Sequence, residues 1–502
     1  MEIKTLKDIV NASASRYGQA TAYRYKVKKD LVDKSFLQLK QDSMAFSRMV
    51  EDMGLKGKHI AILGSTSYAW IVSFFGITGS GSVAVPLDVQ LPAADLCELL
   101  DRADVEMLVF DELRRDVYEE AVKKCPKLHY FMSMQQEDNE EVLLSFGKQV
   151  EAYQGEYDTD ISEKQLCTIL FTSGTTGKSK GVMLSHENLT QNAMSITLRL
   201  EPGTVSMTVL PINHVYCLTM DIIKGLELGV CCCINDSIMH VAKNMKLFQP
   251  QIMLLVPLVI ESVYSKLRAA GDFLPKKLIA KQAFGGRLNL ICSGGAYLNP
   301  DYVDKFKEYG ITILQGYGMT ECSPVISTNL LDANKKGSVG KLIANCEGKI
   351  VEEEIWVRGS SVMQGYYKMP EETAQTMEDG WLKTGDLGYI DEDNYVYITG
   401  RKKNLIILAN GENVSPEEIE NQIGKADLVK EIVVREAEGR IQAEIFPDYE
   451  FAKKKRIKDI KAGVQEIIDK YNKEAPVYKR VLDLKLRETE FEKNTSRKIK
   501  RT

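Results

Sequence analysis

Apolar positions along the chain follow two periods. Short apolar runs at 59–63, 105–110, 252–256 and 288–292 have the length of buried strands, and stretches at 259–270 and 300–309 carry helical spacing between them. This alternation, from about residue 58 to 315, predicts α/β layers with largely parallel sheets. From about 340 to 400 the pattern turns strand-rich, with turn signals at Asp379-Gly380 and at 391–394. At Gly400-Arg401-Lys402-Lys403-Asn404 the composition shifts again. Charged helices at 416–423 and 453–471 and short strands at 431–434 and 443–446 predict a small α+β domain. The pattern therefore predicts two domains, 1–400 and 401–502, joined by a short polar hinge. No internal repeat or low-complexity segment interrupts it.

Composition narrows the reading. A chain of 502 residues is too long for one ordinary core, and its 44% hydrophobic and 27% charged content is that of a globular protein. A net charge of -5 argues against a nucleic-acid partner. The most apolar region, 60–87, is interrupted by Gly64, Ser65, Ser67, Gly76, Gly79 and Gly81, so no transmembrane segment is expected. Met1-Glu2-Ile3-Lys4 reads as the opening of an amphipathic polar helix rather than a signal peptide. The ten cysteines show no Cys-x-x-Cys spacing, and Cys231-Cys232-Cys233 is expected as a buried strand rather than a metal site. A reducing cytoplasm is the expected compartment.

The chemistry begins where the run Thr168-Ile169-Leu170 empties into Phe171-Thr172-Ser173-Gly174-Thr175-Thr176-Gly177-Lys178-Ser179-Lys180-Gly181. Glycines let a backbone approach a ligand closely, hydroxyls and amides suit phosphate oxygens, and two lysines add charge for a polyphosphate. A Walker A loop needs four residues between its first glycine and the Gly-Lys pair, whereas Gly174 and Gly177 enclose two. This is a phosphate loop of another kind.

Carried on through Val182-Met183-Leu184-Ser185-His186, the string closely resembles the signature loop of the adenylate-forming enzymes, the superfamily of acyl-CoA synthetases, luciferase-like proteins and peptide-synthetase adenylation domains. Further matches follow at Ser293-Gly294-Gly295-Ala296, Leu314-Gln315-Gly316-Tyr317-Gly318-Met319-Thr320-Glu321, Trp381 to Gly388, Ala409 to Glu420 and Phe491 to Ile499. Phe284 to Leu288 and Met363-Gln364-Gly365-Tyr366-Tyr367 are most like the long-chain fatty acyl-CoA synthetases. The resemblance implies an α/β fold, with a large N-terminal domain of layered α/β subdomains plus a β-rich subdomain, and a small mobile α+β C-terminal lid.

It also implies roles. Thr172, Ser173, Gly174, Thr176, Gly177 and Lys180 would bind the nucleotide phosphates, and Thr175 and Glu321 would serve catalysis and hold Mg2+. Gly294, Gly295, Ala296, Gln315, Gly316, Tyr317, Gly318, Met319 and Thr320 would surround the adenosine and α-phosphate, with Tyr317 stacking on the base. Asp386 and Arg401, fifteen positions apart, would hold the ribose or α-phosphate. His214 would stand near the carboxylate and the pantetheine channel, and Lys498 would contact carboxylate and α-phosphate. Lys403 would be the hinge about which the lid turns, bringing Gly411 to the thiol channel in place of Lys498.

The implied activity is an ATP-dependent acid–thiol ligase: acyl-AMP and pyrophosphate form first, then acyl-CoA. Its substrates and cofactors would be ATP, Mg2+, coenzyme A and a small-molecule carboxylic acid, expected to be a fatty acid, with 253–260 lining a tail pocket. An acyl or peptidyl carrier protein is the alternative acceptor. A non-catalytic nucleotide- or acyl-binding regulator is a second, different class. Arg497 stands where the family pattern has glycine, 340–359 is shorter than the usual stretch, and Leu218 falls where some long-chain enzymes carry a tryptophan.

Overall fold

Residues 2–135, 143–172, 179–269, 274–408, 412–437, 439–493 and 499–501 are described by the computed structural model of the chain. They fall into two compact units. The first comprises Met1–Lys336, Gly340–Glu347 and Val357–Leu382; the second takes in Gly337–Val339, Gly348–Trp356 and Lys383–Thr502.

Two sheets build the first unit. One has eight strands in the order Gly365–Tyr366, Lys180–Ser185, Leu166–Thr172, Val83–Leu87, His59–Leu63, Val105–Phe110, Tyr130–Ser133 and Leu143–Ser145. The other has nine: Lys341–Leu342, Val325–Thr328, Thr312–Gly318, Leu290–Ser293, Ile252–Leu255, Val205–Thr208, Cys231–Ile234, Thr21–Val27 and Asp30–Ser35. The interiors of both are parallel. Parallel strands are covered on both faces, which is why they read as unbroken apolar runs. Ile60, Ala61, Ile62 and Leu63 are fully buried, and the run of three cysteines in Cys231–Ile234 is buried too.

The apolar stretch 60–87 resolves into strand, helix and strand. Its helix Tyr68–Gly79 is apolar all round and almost wholly buried. Gly76 lets it close on a neighbouring helix: a Cβ there would lie 2.6 Å from the Phe46 side chain.

Several expected boundaries move. The first helix begins at Leu6, because Thr5 and Asp8 form a capping box in front of it. The strand expected at 288–292 is Leu290–Ser293, set by its parallel register with Ile252–Leu255, and the positive-φ pair Gly285-Gly286 takes up the preceding chain. The helix expected at 453–471 is two helices, Tyr449–Lys455 and Ile460–Glu474. Arg456 adopts a left-handed conformation that ends the first, and Asp459 caps the second. The Asp379-Gly380 turn has positive φ at both residues, the geometry of a tight hairpin between Met377–Glu378 and Trp381–Ile390.

The second unit is built on the antiparallel pair Trp381–Ile390 and Val396–Arg401 and on a three-stranded sheet of Val429–Ala437, Arg440–Pro447 and Asp483–Leu486. Helices Pro416–Ile423 and Ile460–Glu474 pack on that sheet, burying Ile419, Ile423, Val464 and Ile468 with Val434, Ala443 and Ile445.

Candidate active site

In an open parallel sheet, ligands bind beyond the carboxyl ends of the strands, where helix N-termini and loops expose backbone donors. The first unit places most of its sequence-predicted residues there. His214 follows Val205–Thr208, Gly294, Gly295 and Ala296 follow Leu290–Ser293, and Gln315 to Gly318 form the end of Thr312–Gly318. The stretches are packed on one another. Tyr216, two residues past His214, donates its hydroxyl to the Cys292 carbonyl at 3.2 Å, and its ring lies where a Cβ on Gly294 would approach to 3.0 Å. Gly318 is required by close approach, since a Cβ would stand 1.9 Å from the Pro324 carbonyl oxygen. Of the expected tail-pocket segment, Met253, Leu255 and Ile260 fill the core, while Val256 and Leu258 are half-buried.

The phosphate loop leaves the end of Leu166–Thr172 and returns as Lys180–Ser185, with Thr172 and Lys180 paired in antiparallel register. Ser173, Gly174, Thr175, Thr176 and Gly177 lie outside the described residues, as do Gly411 and Lys498. What the structure describes is how the loop's exit meets the Met-Thr-Glu segment. Strand Gly365–Tyr366 pairs with Lys180–Ser185. Lys180 Nζ lies 4.7 Å from the centre of the Tyr366 ring, and the Tyr366 hydroxyl donates to Glu321 Oε1 at 2.7 Å. A cation, a buried tyrosine and a carboxylate, from 180, 366 and 321, therefore form one chain of contacts. Burial, and then that carboxylate beside it, hold the Tyr366 phenol well above its ordinary range, and it stays a hydrogen-bond donor.

The turn Thr320–Cys322 that carries Glu321 is fixed from behind. Asn192 donates to the carbonyls of Cys322 (3.0 Å) and Val325 (2.8 Å) and to Ser361 Oγ (3.0 Å), and it accepts from Val325 N–H at 3.2 Å. Thr219 donates to the Ser323 carbonyl at 2.8 Å, and Met363 N–H to the Glu321 carbonyl at 2.9 Å. None of Tyr366, Asn192 or Tyr216 was assigned a role from sequence. Tyr366 stands in the motif Met363-Gln364-Gly365-Tyr366-Tyr367, and only its strand pairing reveals what it touches.

Within the second unit, Asp386 and Arg401 face each other across the hairpin, with Arg401 Nε 2.6 Å from Asp386 Oδ1. Asp386 is buried, and its backbone N–H donates to Thr384 Oγ1 at 3.1 Å. Buried Glu354 accepts from Gly385 N–H and from Lys402, each at 2.9 Å. Partial burial and the Arg401 guanidinium hold the Lys403 amine below its usual range. The chain on either side of 494–498 is anchored: Lys493 to Glu431 at 2.6 Å, and Arg501 to Glu417 and Glu420 on helix Pro416–Ile423. Burial pushes Glu420 up to about 7 despite that arginine.

A glutamate carboxylate is a hard oxygen donor and suits Mg2+. Among the described residues, no group of three or more His, Cys, Asp or Glu side chains is gathered for a metal, so a magnesium ion here would be completed by phosphate oxygens, water or residues outside that set.

Two family models match the chain. A family model described as AMP-binding enzyme matches residues 10–367, and one described as AMP-binding enzyme C-terminal domain matches 403–502. The long-chain-fatty-acid–[acyl-carrier-protein] ligase AEE15, chloroplastic, of Arabidopsis thaliana is 27% identical over 90% of this chain and 77% of its own length. A long-chain-fatty-acid–CoA ligase of Bacillus subtilis is 27% identical over 86% of this chain and 82% of its own. Among solved structures, the anthranilate CoA ligase AuaEII in complex with anthranoyl-AMP superimposes with a TM-score of 0.85, at 22% identity, covering 99% of this chain and 95% of that one. That likeness speaks for the fold.

Proposed function

The chain belongs to the AMP-binding enzyme family, and on that premise we propose that it joins a fatty acid to coenzyme A through an acyl-adenylate. The observation that carries the reading is the Lys180–Tyr366–Glu321 chain of contacts beside the ends of the parallel strands. It sets a cation beside a hard carboxylate that would hold Mg2+, and positive charge from both is what a triphosphate requires.

In the first half-reaction a substrate carboxylate oxygen attacks the α-phosphorus of ATP. The bond from that phosphorus to the bridging oxygen breaks, and pyrophosphate leaves. Lys180 and the loop 172–177 hold the β- and γ-phosphates, and Thr320 reaches the α-phosphate. Glu321, oriented by Tyr366, and Thr175 would hold Mg2+, which supplies neutralising charge on the phosphates when bound. Gly294, Gly295, Ala296 and 315–319 surround the adenosine. Asp386, with Arg401 beside it, takes the ribose hydroxyls, and Lys498 offsets the repulsion between carboxylate and phosphate. In the second half-reaction the thiol gives up its proton to solvent, its sulfur attacks the acyl carbon, the acyl–phosphate oxygen bond breaks and AMP leaves. His214 lies toward the carboxylate. Residues 401–502 are the proposed lid, with Lys403 its hinge and Gly411 bordering the thiol path.

The name of the Bacillus relative supports a fatty acid and coenzyme A. That of the Arabidopsis ligase keeps a carrier protein as the second acceptor. The test is pyrophosphate release and product mass with ATP, Mg2+ and short, medium, long-chain and aromatic acids, with and without coenzyme A. Acyl-CoA formed fastest from long-chain acids supports the reading. Adenylate that accumulates until a carrier protein is added moves the acceptor, and silence across the panel removes the ligase.

A further inference from the structure

Helix Ala93–Arg102 is joined to strand Val105–Phe110 by Ala103 and Asp104 alone. Asp104 has a φ of 49°, in the left-handed region that a short polar side chain tolerates. The two charged residues of this corner, Arg102 and Asp104, stand in no motif of the ligase reading, yet both reach into it.

Arg102 touches the chain on either side of the phosphate loop. Its guanidinium carbon lies 5.6 Å from the centre of the Phe171 ring, before the loop, and its Nη2 donates to the Ser179 carbonyl, after it, at 2.6 Å. Its partner one turn back on the same helix, Glu98, is farther off at 3.7 Å. The residue after Ser179 is Lys180, whose ammonium sits over the Tyr366 ring.

Asp104 holds the chain next to that ring. Its Oδ2 accepts from the Tyr367 hydroxyl at 2.6 Å and lies 2.5 Å from Lys368 Nζ, and its Oδ1 accepts from Lys127 at 2.8 Å. Tyr367 in turn donates its backbone N–H to the Gly181 carbonyl at 2.7 Å. Against burial, which would raise it, bonds from Lys127, Lys368 and Tyr367 hold the Asp104 carboxyl well below the usual carboxylate range. One corner therefore grips the residue before Lys180 and the residue after Tyr366, the neighbours of the pair that meets Glu321.

We propose that Arg102 and Asp104 are positioning residues for the triphosphate. They fix the exit of the phosphate loop and the strand Gly365–Tyr366 together, and so place the Lys180 ammonium and the Tyr366 hydroxyl that orients Glu321. The proposal rests on the ligase reading and deepens it. A lysine carried on a free backbone must be ordered when it meets a phosphate, whereas one whose backbone is already held has less freedom to lose. The gain falls on the β- and γ-phosphates assigned to Lys180, and not on the adenosine, which other segments take.

The test is calorimetric titration of the full chain with ATP and Mg2+ and, separately, with AMP, alongside melting curves. The bond lost in Arg102→Ala has a charged donor, so this variant should bind ATP roughly tenfold or more weakly, and AMP within about twofold of the parent. Tyr367→Phe keeps the ring and the backbone bond to Gly181 and removes only the donor to Asp104. It should show the same split more weakly, and should raise KM for ATP but not for the acid in pyrophosphate release. A merely structural role would weaken both nucleotides together or lower the melting temperature alone. Either of those results, or folded variants that bind ATP as the parent does, overturns the proposal and leaves the ligase reading standing. A parent that binds neither nucleotide overturns the ligase reading itself, and the proposal with it.

Discussion

Tyr366 joins two stretches of chain that are far apart in sequence, and its hydroxyl is the joint. Replacing it with Phe keeps the ring over Lys180 but removes the donor to Glu321. A hydrogen bond to a charged group is worth about 1.5–3 kcal/mol. On the proposed reading Tyr366→Phe should therefore slow pyrophosphate release roughly ten- to a hundredfold, raise the Mg2+ needed for half-maximal rate, and lower the melting temperature modestly, since the same bond is lost from the folded chain. An unchanged rate at limiting Mg2+ would remove Tyr366 as the group that orients Glu321. Asp221 is a different kind of residue, buried among Cys217, Cys232, Tyr23 and Tyr216, where desolvation pushes its carboxyl up to about 8. Between its ordinary value of 3.8 and about 8 the folded chain keeps a proton that the unfolded chain has released. Stability from this group therefore falls as pH rises through that window, with a limiting slope of about 1.4 kcal/mol per pH unit. Asp221→Asn should flatten that decline, and melting curves of both proteins from pH 5 to pH 8, roughly the span over which folded and unfolded protonation differ, would reveal a difference. Parallel curves would show that Asp221 ionises without cost.

At the scale of elements, what the sequence revealed depended on how local each signal was. Asp386 and Arg401 were legible through the family resemblance, and the structure adds the register of the hairpin that sets them opposite each other. The phosphate loop was legible because strand, glycines and lysines stand consecutively. The Asn192 clamp was not, since its four bonds reach Cys322, Val325 and Ser361, more than a hundred residues away. An asparagine inside helix His186–Ser195 looks like any weak helix former. The break at Arg456 was hidden for a similar reason, because a positive φ at an arginine leaves no mark such as glycine would. The clamp makes a prediction at this scale. Asn192→Leu fills a similar volume but leaves the carbonyls of Cys322 and Val325 and the N–H of Val325 buried without their partner. At about 1–3 kcal/mol for each orphaned group, the first unit should lose stability by roughly 3 kcal/mol or more, and the Glu321 turn should loosen. Chemical denaturation should show the loss together with a fall in pyrophosphate release. Full activity with native stability would mean the turn is held by its other contacts, the Thr219 and Met363 bonds among them.

At the scale of the molecule, the division into two units places the Asp386–Arg401 pair, Lys403 and the anchored tail together. Chain entering and leaving 494–498 is pinned at Lys493 to Glu431 and at Arg501 to Glu417 and Glu420. Gly411 follows Ile406–Ile407 in the same unit, and that strand closes on Asn413–Val414. Two segments of one small unit are thus assigned to two half-reactions, and the assignment can be separated by kinetics. Lys498→Ala should cut acyl-adenylate formation on the order of a hundred- to a thousandfold. It should have far less effect on thioester formation when the enzyme is given pre-made acyl-adenylate and coenzyme A. Gly411→Leu should do the reverse, sparing pyrophosphate release in the first turnover while the adenylate accumulates unconsumed. A single-turnover experiment that follows pyrophosphate, acyl-adenylate and acyl-CoA together distinguishes these outcomes. If both variants slowed the same step, the lid would act as one surface and the rotation about Lys403 would be wrong. If neither did, the roles given to Lys498 and Gly411 would be wrong, and for those two segments the family resemblance would be one of fold without mechanism.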